Sequence, residues 1–290
     1  MSKHRILTGV SHAGRAVTVL LFCAGVQGQG GDAFLVVNDP RPVAEAVIQL
    51  MARHPVVITY EDPPYQYAGD LKDVTDEIRN PQAPARTDGR RTFVPVGGQL
   101  EVRYSVSSSS NKPTDLRGTL ESIVQYKAAL PAGGRFRVEQ SGSVFHVIGS
   151  QVRDATGQWV EHRSVLDVPI TLKSGDRSGY KTVLEILDEV TAKTGVKFAV
   201  SAMSVQKMLV GGSAIEAENE PAREVMLRTL QGMSDRLTWL LYYNSARQTY
   251  YFNIVAATVE PTIEIHGQPA VPARPGDPLP TGGPVERERN

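Results

Sequence analysis

Cysteine is nearly absent from these 290 residues: the single one, Cys23, lies in an N-terminal stretch unlike the rest of the chain. One thiol cannot form an intrachain disulfide, and it excludes a metal site built from clustered cysteines. Long apolar runs are lacking as well. The run from Ala16 to Val26 has eleven residues, about half of what a helix needs to cross a bilayer. An excess of one charge is also missing, with 31 Lys and Arg against 31 Asp and Glu. A balanced chain carries no electrostatic footprint for nucleic acid, so no nucleic-acid partner is expected.

Catalytic spacings are equally scarce. The histidines are His4, His12, His54, His146, His162 and His266. None forms H-x-x-x-H or sits beside carboxylates at metal-ligand spacing. No G-x-S-x-G occurs, and the "SSSS" at Ser107 to Ser110 has no nearby base. The glycine-rich spots "VGGS" (Val210 to Ser213) and "PAGGR" (Pro131 to Arg135) lack the lysine pattern of a phosphate loop. His146 alternates with apolar neighbours in "SVFHVIG", which suits a structural role. No catalytic, cofactor-binding or metal-ligating residue is assigned, and no cofactor.

The ends of the chain are distinctive. Lys3, Arg5 and Arg15, the apolar run and small residues ending at Gly28 have the order of a secretory signal peptide, expected at residues 1–28. Its removal takes the formal charge from 0 to −3. An outer-membrane lipoprotein attached through Cys23 is the less favoured alternative, because Phe22 stands where a small residue is needed. Localisation in the periplasm or outside the cell follows. Residues 259–290 carry too many prolines and glycines to bury a core, and are expected to be a disordered tail.

Between the ends, apolar spacing predicts four helices. The first follows "NDPRP", with Val43, Val47, Leu50 and Met51 on one face and Asp39 or Asn38 as its cap. The second follows Thr114-Asp115. The third aligns Val183, Leu184, Leu187 and Val190 and stops at Thr194-Gly195. The fourth opens at Asn219, with Pro221 in its first turn. Strands flank each helix, and "GRFRVEQSGSVFHVIG" (Gly134 to Gly149) and "RLTWLLYYNSARQTYYFNIV" (Arg236 to Val255) read as closing hairpins.

The fold class is therefore α+β. Two tandem split-βαβ units of βαββαββ type are expected, each a small mixed sheet covered on one face by two helices. They occupy residues 33–155, with an inserted loop at 61–98 and a short helix at Asp70 to Ile78, and residues 163–258.

In the second half, "VLEILDEVTAKTGVKFAVSAMSVQKMLVGGSAIEAENEPAREVMLRTLQGM" resembles the short N-terminal (STN-like) domain of secretins and TonB-dependent receptors. The resemblance rests on the helix ending at Thr194-Gly195, the strand Val196 to Val200 and the helix Ala222 to Gln231, and it spans Leu166 to Val255. It implies a periplasmic interaction module and no catalysis.

Two aromatic groups stand out. Tyr60, Tyr65 and Tyr67 surround Glu61 and Asp62, and Trp239, Tyr243 and Tyr251 belong to the second hairpin. Together these six form the candidate partner surface. The expected function is an exported protein-interaction module of a cell-envelope assembly, secretion or transport complex. Its partner is an envelope protein or a second copy bound through edge strands. The alternative is a secreted hydrolase of a polysaccharide or peptide polymer, working through the 60–67 region.

Overall fold

A computed structural model describes residues 31–77, 91–130, 132–201, 212–234 and 236–257. The expected signal segment, the proline-rich tail and the middle of the 61–98 loop lie outside these residues.

The first half runs β1 (Gly31–Asp39), α1 (Pro42–Arg53), β2 (Ile58–Glu61), β3 (Leu71–Asp73), β4 (Phe93–Pro95), β5 (Gly98–Val106), α2 (Leu116–Ala128), β6 (Arg135–Ser141) and β7 (Val144–Arg153). After β8 (Trp159–Glu161) the second half runs β9 (Pro169–Leu172), β10 (Arg177–Ser178), α3 (Gly179–Thr194), β11 (Lys197–Ser201), β12 (Gly212–Ser213), β13 (Ala217–Pro221), α4 (Ala222–Met233), β14 (Leu237–Asn244) and β15 (Thr249–Ala256). The protein is α+β.

The sequence pattern leaves open whether the two halves share a sheet, and they do: the main sheet is a joined one. Its strand order is β11-β15-β14-β2-β7-β6, with β8 also on β7. The halves meet where β14 runs parallel to β2, with Leu240 opposite Tyr60 and Leu241 opposite Glu61. Strand alternation then places the two cores on opposite faces. Ile58, Tyr60, Val147 and Leu240 face α1, α2 and the β1–β5 ribbon. Trp239, Leu241, Phe252 and Ile254 face α3, α4 and the strands β9 and β13. Shape made this choice: β2 has all four residues buried, so it needs a partner strand on each side and a covering layer on each face.

The helix ends follow local chemistry. Asp115 caps α2 by accepting from the Gly118 N–H at 2.8 Å. Gly195 ends α3 at φ 72°, a conformation that favours glycine. The expected cap on α1 is absent. The Asp39 side chain turns instead to the Arg41 N–H at 2.6 Å, and Pro42 supplies the first turn. Helix α4 begins at Ala222 rather than Asn219, because Ala217–Pro221 is strand and pairs with β9.

The short helix expected at Asp70 to Ile78 does not form over its described residues, 70–77: a single 3-10 turn, Ala68–Asp70, ends where it was to begin. Asp73 accepts from the Thr75 N–H at 2.9 Å, a local turn that competes with helix, and Leu71–Asp73 pairs with β4. This crossing segment is pinned to β7 and β6. Buried Asp70 accepts from the Gly133 N–H at 2.7 Å and from Arg153 Nε at 3.1 Å. Pro63 lies so close to Gly149 that a Cβ there would meet the proline ring and backbone at 2.7 Å.

Gly149→Ala should therefore lower stability by about 1–3 kcal/mol through overpacking. Gly232→Ala, in the exposed end of α4 with open space around it, should be neutral or stabilising by up to about 1 kcal/mol. Urea midpoints of the two variants measure both; equal midpoints would refute the close approach of Pro63.

Candidate functional site

Glu61 and Asp62 are neighbours in sequence at the end of β2, so their side chains leave on opposite faces of the sheet. Both are buried. Glu61 accepts from Arg223 of α4 twice, at 2.9 Å from Nε to Oε1 and 2.9 Å from Nη2 to Oε2. The Ser164 hydroxyl donates to the same carboxylate. Arg223 also pairs with Asp167. Burial alone would push the Glu61 carboxyl up, but the Arg223 charge and these hydrogen bonds hold it below the usual carboxylate range.

Asp62 gathers donors on the other face. Arg41 Nε donates to it at 2.7 Å, the Tyr60 hydroxyl at 2.5 Å, the Tyr65 hydroxyl at 3.2 Å and the Tyr243 N–H at 3.0 Å. Arg41 in turn donates to the Tyr243 carbonyl at 2.9 Å, and its guanidinium lies 5.2 Å from the Tyr242 ring centre. Burial, and then the Asp62 charge, push the Tyr60 and Tyr65 phenols well up, so both remain donors.

This arrangement is structural at its centre. A glycosidase pair faces one groove across about 5–10 Å, with one member held protonated. Glu61 and Asp62 face away from each other, each is occupied by an arginine, and Glu61 is held ionised. The hydrolase reading finds no acid–base pair in this group.

The six candidate aromatics divide. Three are corrected from surface to core: Tyr60 is 1 % exposed, Tyr65 5 % and Trp239 0 %. Tyr60 and Tyr65 are drawn inward by their hydroxyl bonds to Asp62, and Trp239 falls on the face of β14 that packs under α4. Tyr67 is half-buried, with the Arg153 guanidinium 4.6 Å from its ring centre. Tyr243 and Tyr251 are half-buried and border an open cleft of about 270 Å³, together with Arg41, Phe93, Tyr242 and Asn244. Tyr242 and Tyr251 are cross-strand partners and share a face, and the Tyr251 hydroxyl accepts from Arg247 Nη1 at 3.0 Å.

Three contributors had escaped the sequence reading. Arg223 falls in line with Met226, Leu227 and Leu230 on the apolar stripe of α4, and a charge in such a stripe signals a buried counter-ion. Arg41 and Phe93 gave no comparable signal, since only the fold brings them to the hairpin. On the opposite face an open polar groove of about 670 Å³ is lined by residues including Arg137, Glu139, His162, Asp167 and Glu224. Burial pushes the His162 imidazole down. Among the described residues no cluster of three or more His, Cys, Asp or Glu is placed to hold a metal ion.

Arg223→Met, which strands the Glu61 charge, should cost about 3–5 kcal/mol, and Glu61→Gln in the same chain should recover part of it. The pH dependence has a definite sign. Glu61 titrates lower folded than unfolded, so its contribution is present above the unfolded value of about 4.3 and is lost as pH falls through the folded value. Urea midpoints at pH 6 and pH 3 should differ less for Glu61→Gln than for the unaltered chain, and an equal difference would refute the charged clamp.

No protein-family model matches the chain, and no curated protein and no solved structure matches it significantly.

Proposed function

We propose that the chain is an exported protein-interaction module of a cell-envelope assembly, secretion or transport complex, and that the cleft at Tyr251, Tyr242 and Phe93 is its partner surface. The carrying observation is that half-exposed aromatics border an arginine already fixed by a buried carboxylate. Aromatic side chains and arginine dominate the energetics of protein interfaces, and a side chain held before binding loses little entropy on binding. The signal-like N-terminus supports export, and the STN-like pattern of the second half supports a place in the envelope. Among the described residues no helix is long and apolar enough to cross a membrane.

A photo-crosslinking residue at position 251 should give a discrete adduct in envelope fractions. The same probe at position 126, on the exposed face of α2, should not. Tyr251→Ala should weaken partner retention at least about tenfold, the scale of a 1.4 kcal/mol contact. Absence of a discrete adduct at 251, or retention unchanged in Tyr251→Ala, would sink this assignment.

A further inference from the structure

The strand pairings that join the two halves also specify how copies of the chain would join. In the first half β7 pairs with β2 in parallel and with β6 antiparallel. In the second half β15 pairs with β11 in parallel and with β14 antiparallel. The groups β2-β7-β6 and β11-β15-β14 thus have the same order and the same relative directions. They abut through the parallel pair β14–β2, which means that one group is turned over relative to the other by a half-turn about a line running across the strands. That half-turn is why the helices of the two halves cover opposite faces.

Such an operation combines a half-turn with a translation along the sheet, so it joins unlike edges and does not close on itself. It leaves β6 at one end of the sheet and β11 at the other, and among the described residues no strand pairs along the outer side of either. β6 stands where β14 stands in the other group, and β11 stands where β2 does. Each outer edge is therefore the counterpart of one that already pairs inside the chain.

We propose that β11 of a second copy adds in parallel to β6, repeating the β14–β2 junction and building head-to-tail oligomers. This deepens the interaction-module reading, on which it rests, by naming a second copy of the chain as a partner at the sheet edges.

The register follows from the pairings once the central strands β7 and β15 are aligned at their first residues, Val144 and Thr249, which matches Val147 with Phe252. Val147 lies between Tyr60 and Val138, and Phe252 lies between Val200 and Leu241. Val200 thus matches Tyr60, and Val138 matches Leu241. Inside the chain Leu240 faces Tyr60, so across the new junction Arg137 faces Val200 of the second copy. The outer joint is more polar than the inner one. Arg137 stands where Leu240 does and already pairs with Glu139 at 2.6 Å, and the Glu61–Arg223 clamp has no equivalent there, since position 201 is a serine. Charged residues on an edge strand weaken its pairing without abolishing it, so the association is reversible and concentration-dependent.

Sedimentation velocity of the full exported chain over a wide concentration range tests this. The weight-average mass should rise beyond that of a dimer. Ala199→Asp on β11 and Arg137→Asp on β6 should each give monomers, while an equimolar mixture of the two should give dimers and nothing larger, since each variant keeps one working edge. Hydrogen exchange of the unaltered chain is the second measurement, independent of whether the variants fold. Amides of β6 and β11 should gain protection as concentration rises, and those of β1 should not. A chain that stays monomeric, a closed dimer, or oligomers indifferent to both substitutions would overturn the proposal. A monomer that still gives the adduct at position 251 would leave the cleft assignment standing, so the two readings fail separately.

Discussion

The parallel contact between β14 and β2 is the constraint on which the rest of the structure depends. It is short, with two register pairs, and it joins segments about 180 residues apart in the chain. Loop closure over that distance is costly before any contact rewards it. The compensating interactions converge at one strand end. The Asp62 N–H donates to the Leu241 carbonyl at 2.8 Å, Thr238 Oγ1 donates to the Ile58 carbonyl at 2.7 Å, and two carboxylates reach across to the second half. A slip by one residue would turn Glu61 and Asp62 to the wrong faces and break the Glu61–Arg223 and Asp62–Arg41 pairs. The ion pairs therefore select the register more than they add net stability.

The apolar cores divide the same labour. Tyr60 on one face and Trp239 on the other are each fully buried, so the joined sheet is the wall of two cores at once. Each half contributes its own helices to one face, but the second half's Leu240 belongs to the first core. Neither half completes its packing alone. That dependence explains why β2, with four residues, suffices as a central strand: packing on both faces and strands on both sides supply what its length does not.

Much of this architecture was legible in the chain. The stripes Val43–Val47–Leu50 and Val183–Leu187–Val190, the glycine stop at Gly195, the start of α2 after Thr114-Asp115 and both hairpins are local patterns, and local patterns survive folding. What was not legible depends on distant partners. Leu240 and Tyr60 carry no mark that says they will sit side by side, so the joined sheet was hidden. Tyr60, Tyr65 and Trp239 read as surface candidates because amphipathic side chains suit both places, and only the hydroxyl bonds to Asp62 and the packing under α4 decide. Arg223 was the one readable clue to the buried clamp. The cleft was half legible: Tyr243 and Tyr251 were in view, whereas Arg41 and Phe93 arrive from segments far away in sequence.

The clamp and the cleft are two consequences of one strand end. Because Glu61 and Asp62 are adjacent, alternation commits one to locking α4 and leaves the other to organise the opposite face. Asp62 does this by holding both the Arg41 side chain and the Tyr243 main chain, and Arg41 closes the triangle by donating to the Tyr243 carbonyl. Tyr242 follows in the chain's geometry, since its ring lies against that same guanidinium. The arginine that borders the cleft is therefore held in place along with the aromatic ring beside it. Glu61 and Asp62 thus act as anchors: one fixes α4, and the other fixes the arginine and the hairpin backbone that border the cleft.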